Sequence, residues 1–422
     1  MGNECIIADL KVLCKAKIVA RSFAGEHNHI LEKKRNAKGK DGIPMKRILS
    51  LVMALMILSG AAAPAMAEEL AVEAEACLLM EKSTGQVLYA VNEHKQLEPA
   101  SVTKVMTILL IMEAIDAGTL AYDDVVTASA YACSMGGSQI WLKENEQMSV
   151  EDMLKAVCVA SANDCSVALA EHLAGSSEAF VERMNRRAKE LGMQDTHFVN
   201  PTGLPAPGHV TSAYDIAIMS RELILNHPDI RKFTTIWMDT LRNGAFGLSN
   251  TNKLIRYYEG ATGLKTGSTD GALYCLSATA ERDGMELIAV ILKSPTGTQR
   301  FEGAKTLLNY GFAAYDLADV APEKPLAPIP VKLGTQSMVT VRPEGETSLL
   351  MEKGKLGSLE VKVEMEEELA APVALGQQVG AMTITSGGEV LATLPLVAEQ
   401  AVERLGYGQI LLRCLHMAFL AG

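Results

Sequence analysis

Residues 102–117 are apolar on nearly every face of a helix, and this limits the possible folds more than any other feature of the sequence. Apolar side chains fill most positions from 105 to 115, whereas a surface helix carries them on one side only. A helix with this pattern must lie inside a domain. Gly118 follows directly and is expected to end it.

Strand patterns flank a helical middle section. Residues 75–90 have the pattern of two strands around a polar turn, and strand patterns return at 273–280 and 286–292. Between them, helices are expected over 164–173 and 178–191. A chain of 422 residues is long enough for more than one domain, so these elements are expected to form the first of at least two.

Ser101 and Lys104 stand at the start of the buried helix with the spacing SxxK. Three residues of helical rotation bring the hydroxyl and the amine to the same face. Burial disfavours the charged form of a lysine, so we expect a lowered pKa and a neutral amine that can accept the serine proton. The motif alone also fits a helix cap at Ser101 and a lysine whose amine reaches solvent.

Two further motifs follow at the ends of predicted elements. Ser161 and Asn163 form an SxN in the break between two apolar helical segments, where a plain N-cap is an equally natural interpretation. Lys265, Thr266 and Gly267 form a KTG ahead of a predicted strand, and we expect it on an edge strand that faces the helix of SxxK. Glycine in that strand would let a substrate backbone approach closely.

SxxK, SxN and KTG in this order form the motif set of penicillin-recognising serine acyltransferases. Four longer segments accompany them: PASVTK at 99–104, GGSQIWLKENE at 136–146, HFVNPTGL at 197–204 and GLKTGSTDGA at 263–272. The chain resembles the low-molecular-weight penicillin-binding proteins, specifically the exported serine-type D-alanyl-D-alanine carboxypeptidases. The resemblance implies an α/β (α+β) transpeptidase domain of the penicillin-binding-protein/β-lactamase type, an antiparallel sheet with a helical subdomain. A small all-β domain and a C-terminal amphipathic helix would follow.

The resemblance also implies a role for each motif residue. Ser101 would attack the carbonyl between the two terminal D-alanines of a peptidoglycan stem peptide, Lys104 would accept its proton, and Ser161 would relay a proton to the departing D-alanine. The backbone N–H groups of Ser101 and Ser268 would form the oxyanion hole. The implied substrate-binding residues are Asn163, Lys265, Thr266, Gly267, Ser268 and Arg300. Arg300, an isolated arginine, could equally cover a surface.

This mechanism needs no cofactor and no metal, and β-lactam antibiotics are expected to acylate the same serine. A class A β-lactamase shares the three motifs, but its deacylation depends on a glutamate-bearing loop between SxN and KTG, where this chain has HFVNPTGL. Another alternative is a catalytically silent wall-binding protein, whose first domain only binds peptide. No motif residue is missing, which favours the enzyme.

Charge argues against nucleic acid as a partner. Residues 1–47 hold 11 Lys and Arg against 5 Asp and Glu, which leaves 28 basic and 45 acidic residues, a net charge of −17, for 48–422. Nucleic-acid binding depends on basic residues that neutralise phosphates. We therefore do not expect the acidic region 48–422 to bind nucleic acid.

Residues 45–67 have the pattern of a secretory signal: two positive charges, a short apolar stretch, and small residues ending in Ala65 and Ala67. The apolar stretch is too short to span a bilayer, although an uncleaved anchor is the alternative. Met45 is expected to be the true start, which makes 1–44 a non-native or disordered extension. We therefore expect an exported protein at the extracytoplasmic face of the membrane and the cell wall.

The carboxypeptidase domain is expected over 68–318, followed by a proline-rich linker over 319–330. A β domain is expected over 331–397, because residues such as 359–365 alternate between apolar and charged side chains, the pattern of half-buried strands. Residues 398–422 are apolar with interspersed basic residues and too short to span a bilayer. We expect this tail to lie on the membrane surface as an amphipathic helix, or else to pack on its own domain.

Overall fold

The computed structural model describes residues 70–420, with gaps at 323, 346 and 355–358. The expected extension over 1–44 and the expected signal peptide over 45–67 lie outside the described residues.

A five-stranded antiparallel sheet forms the centre of the first domain. It has the order β2-β1-β9-β8-β7, so β7, which carries the KTG motif, is an edge strand, as predicted. Two hairpins, β3–β4 and β5–β6, lie outside this sheet. The strands are β1 (Ala76–Glu81), β2 (Val87–Val91), β3 (Val125–Thr127), β4 (Gln147–Ser149), β5 (Met238–Leu241), β6 (Phe246–Ser249), β7 (Ala261–Thr269), β8 (Leu273–Arg282) and β9 (Met285–Ser294).

Most helices of this domain lie between β2 and β7 in the sequence. They are α1 (Lys104–Asp116), α2 (Ala130–Cys133), α3 (Val150–Ala160), α4 (Asn163–Ala174), α5 (Ser177–Glu190), α6 (Ala213–Asn226), α7 (Arg231–Thr234), α8 (Leu254–Tyr257) and α9 (Gly297–Ala314), with 3₁₀ turns at Ala100–Thr103 and Pro228–Ile230. Local sequence sets several starts, because a Ser or Thr side chain accepts a hydrogen bond from the amide three residues on. The capping residues are Ser129, Ser149, Ser176, Ser212 and Thr296.

Helix α1 lies in the interior, as its sequence predicts. All residues from 104 to 112 are buried, and they share a core with the helical side of the sheet. Alternate residues of β1 enter different cores: Leu78 faces the helices around α1, whereas Leu79 faces α9 on the other side. The sheet is thus covered on both faces, which leaves the edge of β7 beside the start of α1.

The second domain is made of strands. A four-stranded sheet has the order β13-β18-β17-β15, a three-stranded sheet has the order β12-β11-β16, and β10 pairs with β14. Described residues between β10 and β11 form neither helix nor strand, in keeping with their proline content. The strands are β10 (Tyr315–Asp319), β11 (Ile329–Lys332), β12 (Met338–Val339), β13 (Val341–Pro343), β14 (Ser348–Glu352), β15 (Leu359–Met365), β16 (Leu369–Ala370), β17 (Gln378–Ser386) and β18 (Glu389–Ala398).

Strand β15 departs from the expectation of half-burial. Its alternating sequence does form a strand, but Val361 is 44% exposed and Val363 is 36% exposed. The reason is its place at the edge of the sheet, where it pairs only with β17. Met382 and Ile384 of β17 fill the core instead.

The chain continues into helix α10 (Tyr407–Leu420). Several large side chains on it are exposed, among them Leu411 at 62% and Leu412 at 68%. Within the described residues, every helix is too short or too polar to cross a membrane.

Candidate active site

Ser101 and Lys104 meet where a 3₁₀ turn leads into α1. Lys104 Nζ lies 2.9 Å from Ser101 Oγ, and the lysine side chain is fully buried. The interpretation of Lys104 as a lysine that reaches solvent is therefore wrong. The turn is strained just before the serine, because Ala100 has a φ of +48°, in the left-handed region.

Two further oxygens hold the amine of Lys104. Nζ lies 2.6 Å from Asn163 Oδ1 and 2.7 Å from the backbone oxygen of Thr202. The orientation of the Asn163 amide follows from its other contact, since Nδ2 donates to the backbone oxygen of Gly136 at 2.6 Å. Both oxygens can only accept hydrogen bonds, whereas the Ser101 hydroxyl can also donate.

Burial keeps the pKa of Lys104 well below its usual range, and the nearby charge of Lys265 lowers it further, against a smaller opposing effect of Asp164. A neutral amine has two N–H groups and one lone pair. When Asn163 and Thr202 take the two N–H groups, the lone pair faces the hydroxyl of Ser101. A neutral amine held by these contacts could accept the proton of Ser101.

The SxN motif lies at the junction of α3 and α4. Ser161 ends α3 in the left-handed conformation, with a φ of +64°, and it is buried. The N-cap position of α4 is Ala162, which makes no side-chain cap, so the interpretation of the motif as a plain N-cap is wrong. The Asn163 side chain binds Lys104 and Gly136 instead.

The KTG motif lies in the middle of β7, beside the turn of Ser101. A Cβ on Gly267 would lie 2.8 Å from the backbone nitrogen of Ser101, so the close approach requires glycine. Thr266 Oγ1 donates to Thr251 Oγ1 at 2.7 Å, while Ser268 is exposed. Lys265 is buried, and burial lowers its pKa to about 7.

Arg300 lies behind this strand and is only 8% exposed, so the interpretation of an arginine that covers a surface is wrong. Its Nη1 donates to the backbone oxygens of Gly267 at 3.0 Å and Cys275 at 3.1 Å. Burial lowers its pKa to about 10. The guanidinium ties the KTG strand to its neighbour β8.

The contribution of Thr202 was not predicted from the sequence, although it belongs to the quoted segment HFVNPTGL. Asn200 Oδ1 accepts hydrogen bonds from the backbone nitrogens of Thr202 at 3.1 Å and Gly203 at 2.8 Å, which shapes the turn. Gly203 has a φ of +82°, and a Cβ there would lie 1.8 Å from the backbone oxygen of Ala100. An Asn-Pro-Thr-Gly sequence signals such a turn, but only the fold places it against Lys104.

Glu113, Glu222 and His227 are the residues of the described chain whose oxygen and nitrogen atoms come close enough to hold a metal ion. Arg187 already binds both carboxylates, at 2.7 Å to Glu113 and 2.6 Å to Glu222. Its guanidinium supplies the positive charge that this cluster needs.

The family profile described as D-alanyl-D-alanine carboxypeptidase matches residues 61–296. The chain belongs to this family. A second profile, described as penicillin-binding protein 5, C-terminal domain, matches residues 320–404. The carboxypeptidase family assignment confirms the predicted serine peptidase and its fold class, with a C-terminal β region.

Proteins named as D-alanyl-D-alanine carboxypeptidases are similar to most of the chain. D-alanyl-D-alanine carboxypeptidase DacF of Bacillus subtilis is 41% identical over 86% of this chain and 96% of its own length. DacD of Escherichia coli is 33% identical over 85% of this chain and 96% of its own length. Among solved structures, penicillin-binding protein 5 of Haemophilus influenzae has a TM-score of 0.70 at 31% identity and covers 79% of this chain and 98% of its own. The ampicillin-bound penicillin-binding protein D2 of Listeria monocytogenes has a TM-score of 0.53 at 34% identity, over 58% of this chain and 99% of its own.

Proposed function

We propose that this carboxypeptidase removes the terminal D-alanine from peptidoglycan stem pentapeptides through an acyl-enzyme on Ser101. One observation carries the proposal: the buried amine of Lys104 contacts the acceptors Asn163 Oδ1 and the Thr202 backbone oxygen as well as the Ser101 hydroxyl. Burial keeps its pKa well below the usual range, and the neutral form would keep its lone pair for that hydroxyl. A serine paired with such a base is an activated nucleophile.

The reaction then runs in two steps. Ser101 Oγ attacks the carbonyl carbon of the penultimate D-alanine while its proton passes to Lys104, and the C–N bond to the terminal D-alanine breaks. Ser161 relays a proton to the departing amine, and the backbone N–H groups of Ser101 and Ser268 stabilise the oxyanion. Water then hydrolyses the ester and frees Ser101.

The substrate is proposed to lie along the exposed edge of β7. Asn163 would bind a backbone amide of the stem peptide. Gly267 lets the turn of Ser101 pack directly against β7, which brings the serine to the strand edge where the peptide would lie. Lys265 supplies positive charge toward the terminal carboxylate, and the hydroxyl of Thr266 would donate to this carboxylate in place of Thr251. Arg300 adds positive charge from behind the strand, where backbone oxygens fix it.

β-lactams are proposed to acylate the same serine, because the related protein of Listeria monocytogenes was solved with ampicillin bound. Family membership favours a carboxypeptidase over the two alternatives, a class A-like β-lactamase and a silent wall-binding protein. Penicillin that is bound but released quickly as penicilloate would support the β-lactamase instead.

Export and anchoring complete the proposal. The secretory pattern over 45–67 favours an exported chain, and the exposed leucines of α10 favour a helix that lies on the outer surface of the membrane. The sequence predicts limits of 68–318 for the carboxypeptidase, 319–330 for the linker, 331–397 for the β domain and 398–422 for the tail. Because β11 begins at Ile329 and bridges reach Val402 and Arg404, we propose that the β domain extends over 329–404 and that the tail follows it.

Mass spectrometry of a synthetic pentapeptide ending in D-Ala-D-Ala tests the reaction. The wild type should release one alanine and form a covalent adduct with penicillin, and Ser101→Ala should do neither. Lys104→Ala should acylate several orders of magnitude more slowly, because the serine loses its base. Ser134→Ala, an exposed serine outside the site, is the matched control and should behave as wild type. Folded protein without adduct, or near-normal acylation of Lys104→Ala, would refute the assignment.

A further inference from the structure

The loop 136–146, which is hydrogen-bonded to Asn163 of the proposed site, carries an exposed aromatic residue. The buried carboxylate of Asp164 accepts hydrogen bonds from the backbone nitrogens of Ile140 at 3.1 Å and Leu142 at 3.0 Å, and both of those side chains are buried. Trp141, between them, points outward and is 64% exposed. Its φ is +55°, which a bulky residue rarely adopts, so Asp164 holds it in a strained conformation.

Trp141 forms an aromatic shelf with Phe246 and Arg242. The two rings lie 5.8 Å apart at an angle of 66°, and the Arg242 guanidinium lies 5.5 Å from the centre of the Phe246 ring. Arg242 also donates to the backbone oxygen of Ile140 at 2.9 Å and pairs with Glu146 at 2.7 Å. Arg242 thus fixes the turn between β5 and β6 to the loop 136–146, so the shelf is preformed.

The aromatic shelf lines a groove of about 590 Å³. Its charged residues balance, with Lys143 and Arg242 against Glu144 and Glu146. The groove therefore offers flat apolar faces and hydrogen-bonding groups without a net charge. This combination suits a neutral ring rich in hydroxyl groups better than an ionised side chain, since the C–H face of a sugar packs on an aromatic ring and its hydroxyls reach the polar rim. The lining residues are Ile140, Trp141, Lys143, Glu144, Asn145, Glu146, Arg242 and Phe246.

The same loop is hydrogen-bonded to Asn163, a proposed substrate-binding residue. The backbone nitrogen of Asn163 donates to the oxygen of Ser138 at 2.7 Å. Trp141 comes three residues later, at most ~11 Å along the chain. A stem pentapeptide spans at most ~18 Å and is attached to a sugar of the glycan strand, so its length allows a sugar to reach the shelf while the peptide terminus lies at Ser101.

We propose that the aromatic shelf binds the sugar residue to which the stem peptide is attached. This inference rests on the proposed function, because it extends the binding site of the same substrate. The enzyme should then prefer a pentapeptide that is still joined to glycan over the free pentapeptide.

The test compares kcat/KM for a disaccharide-pentapeptide with that for the same pentapeptide without sugar, measured as released D-alanine. Wild type should prefer the disaccharide substrate, and Trp141→Ala should lower the ratio of the two values roughly tenfold, as expected when one aromatic anchor is removed. Met238→Ala is the matched control, because Met238 is exposed on the same hairpin but does not line the groove, and it should keep the ratio.

An equal loss with both substrates in Trp141→Ala, or an unchanged ratio, would overturn the sugar site. Phe246→Ala provides a second variant, and its rate of acylation by penicillin shows whether the loop still folds. If the ratio also stays unchanged in a folded Phe246→Ala, the inference fails even where Trp141→Ala is misfolded. Absence of D-alanine release from either substrate by wild type would instead refute the proposed function.

Discussion

Two buried lysines determine the electrostatics of the proposed site, and burial lowers the pKa of both. Their proposed tasks need opposite protonation states. Lys104 must be neutral to accept a proton, while Lys265 must be charged to attract a carboxylate. Because the charge of Lys265 lowers the pKa of Lys104, the charged state of one favours the neutral state of the other.

The pH dependence of hydrolysis follows from Lys265. Its pKa of about 7 means that it is charged below this pH and neutral above it. We expect kcat/KM for a pentapeptide with a free carboxylate to fall as pH rises through about 7, because the free enzyme loses the attracting charge. Lys265→Arg should move this fall to higher pH, since a guanidinium stays protonated. Profiles of kcat/KM against pH for both enzymes check this, and a fall at the same pH in both would contradict it.

Motif chemistry predicted the residues of the site but not all of its contacts. The pairing of Ser101 with Lys104 follows from helical spacing. The hydrogen bond between the same amine and the backbone oxygen of Thr202, by contrast, joins residues that are 98 positions apart in the sequence. Asp164 was likewise not predicted, because a carboxylate next to an SxN motif gives no sign that it binds the amides of a distant loop. Contacts of this kind depend on tertiary packing, which a sequence pattern does not contain.

At the scale of elements, the turn 200–203 and the turn of Ser101 interlock. The contact leaves no space for a side chain on Gly203, whose absent Cβ would fall on the backbone oxygen of Ala100. Since Thr202 precedes it and binds Lys104, the position of the base depends on this contact.

Gly203→Ala should therefore lower both stability and acylation. The added methyl group clashes with backbone, and φ is positive, so we expect a loss of unfolding free energy well above ~1 kcal/mol together with slow penicillin acylation. Gly208→Ala separates the two causes, because Gly208 has a similar φ of +80° but open space around it. The free energy of unfolding of Gly208→Ala should fall by only about 1 kcal/mol, and this variant should be acylated at the wild-type rate. Denaturant unfolding measures this, and an equal decrease in unfolding free energy for the two variants would contradict the proposed steric clash at Gly203.

Elements with a strong pattern were predicted and others were not. α1 and β7 were expected in their observed places because an apolar helix must be buried and glycine suits a close approach. Helix α6 and the β5–β6 hairpin were not predicted, although Ser212 caps the helix, since neither carries a motif. The alternation in β15 predicts a strand correctly but cannot tell an edge strand from a half-buried one.

At the scale of the molecule, α10 follows the β domain directly. The bridges between Val373 and Val402 and between Gly334 and Arg404 close the domain before the helix begins at Tyr407. Exposed leucines on α10 have no role in the core of the β domain. Their exposure is what a helix on a membrane surface requires.

If α10 is the proposed anchor, deleting residues 407–422 should release the protein from membranes without affecting its chemistry, because both bridges are retained. Sedimentation with membranes measures release, and penicillin labelling measures the site. Leu411→Glu with Leu412→Glu should reproduce the release in the full-length chain, whereas Gln409→Glu, a single charge on an exposed residue, should not. Continued sedimentation of the deletion variant would count against the anchor.

The contacts of Lys104 with Asn163 and Thr202 also determine at what stage of folding Ser101 becomes reactive. Its acceptors come from positions 59 and 98 residues further along the chain, so the lone pair is aimed only after the helical subdomain has closed over the sheet. A chain in transit, not yet folded, would carry an ordinary, unreactive serine. Penicillin would then label only folded molecules. A variant that fails to fold would not be labelled, even if every motif residue is intact.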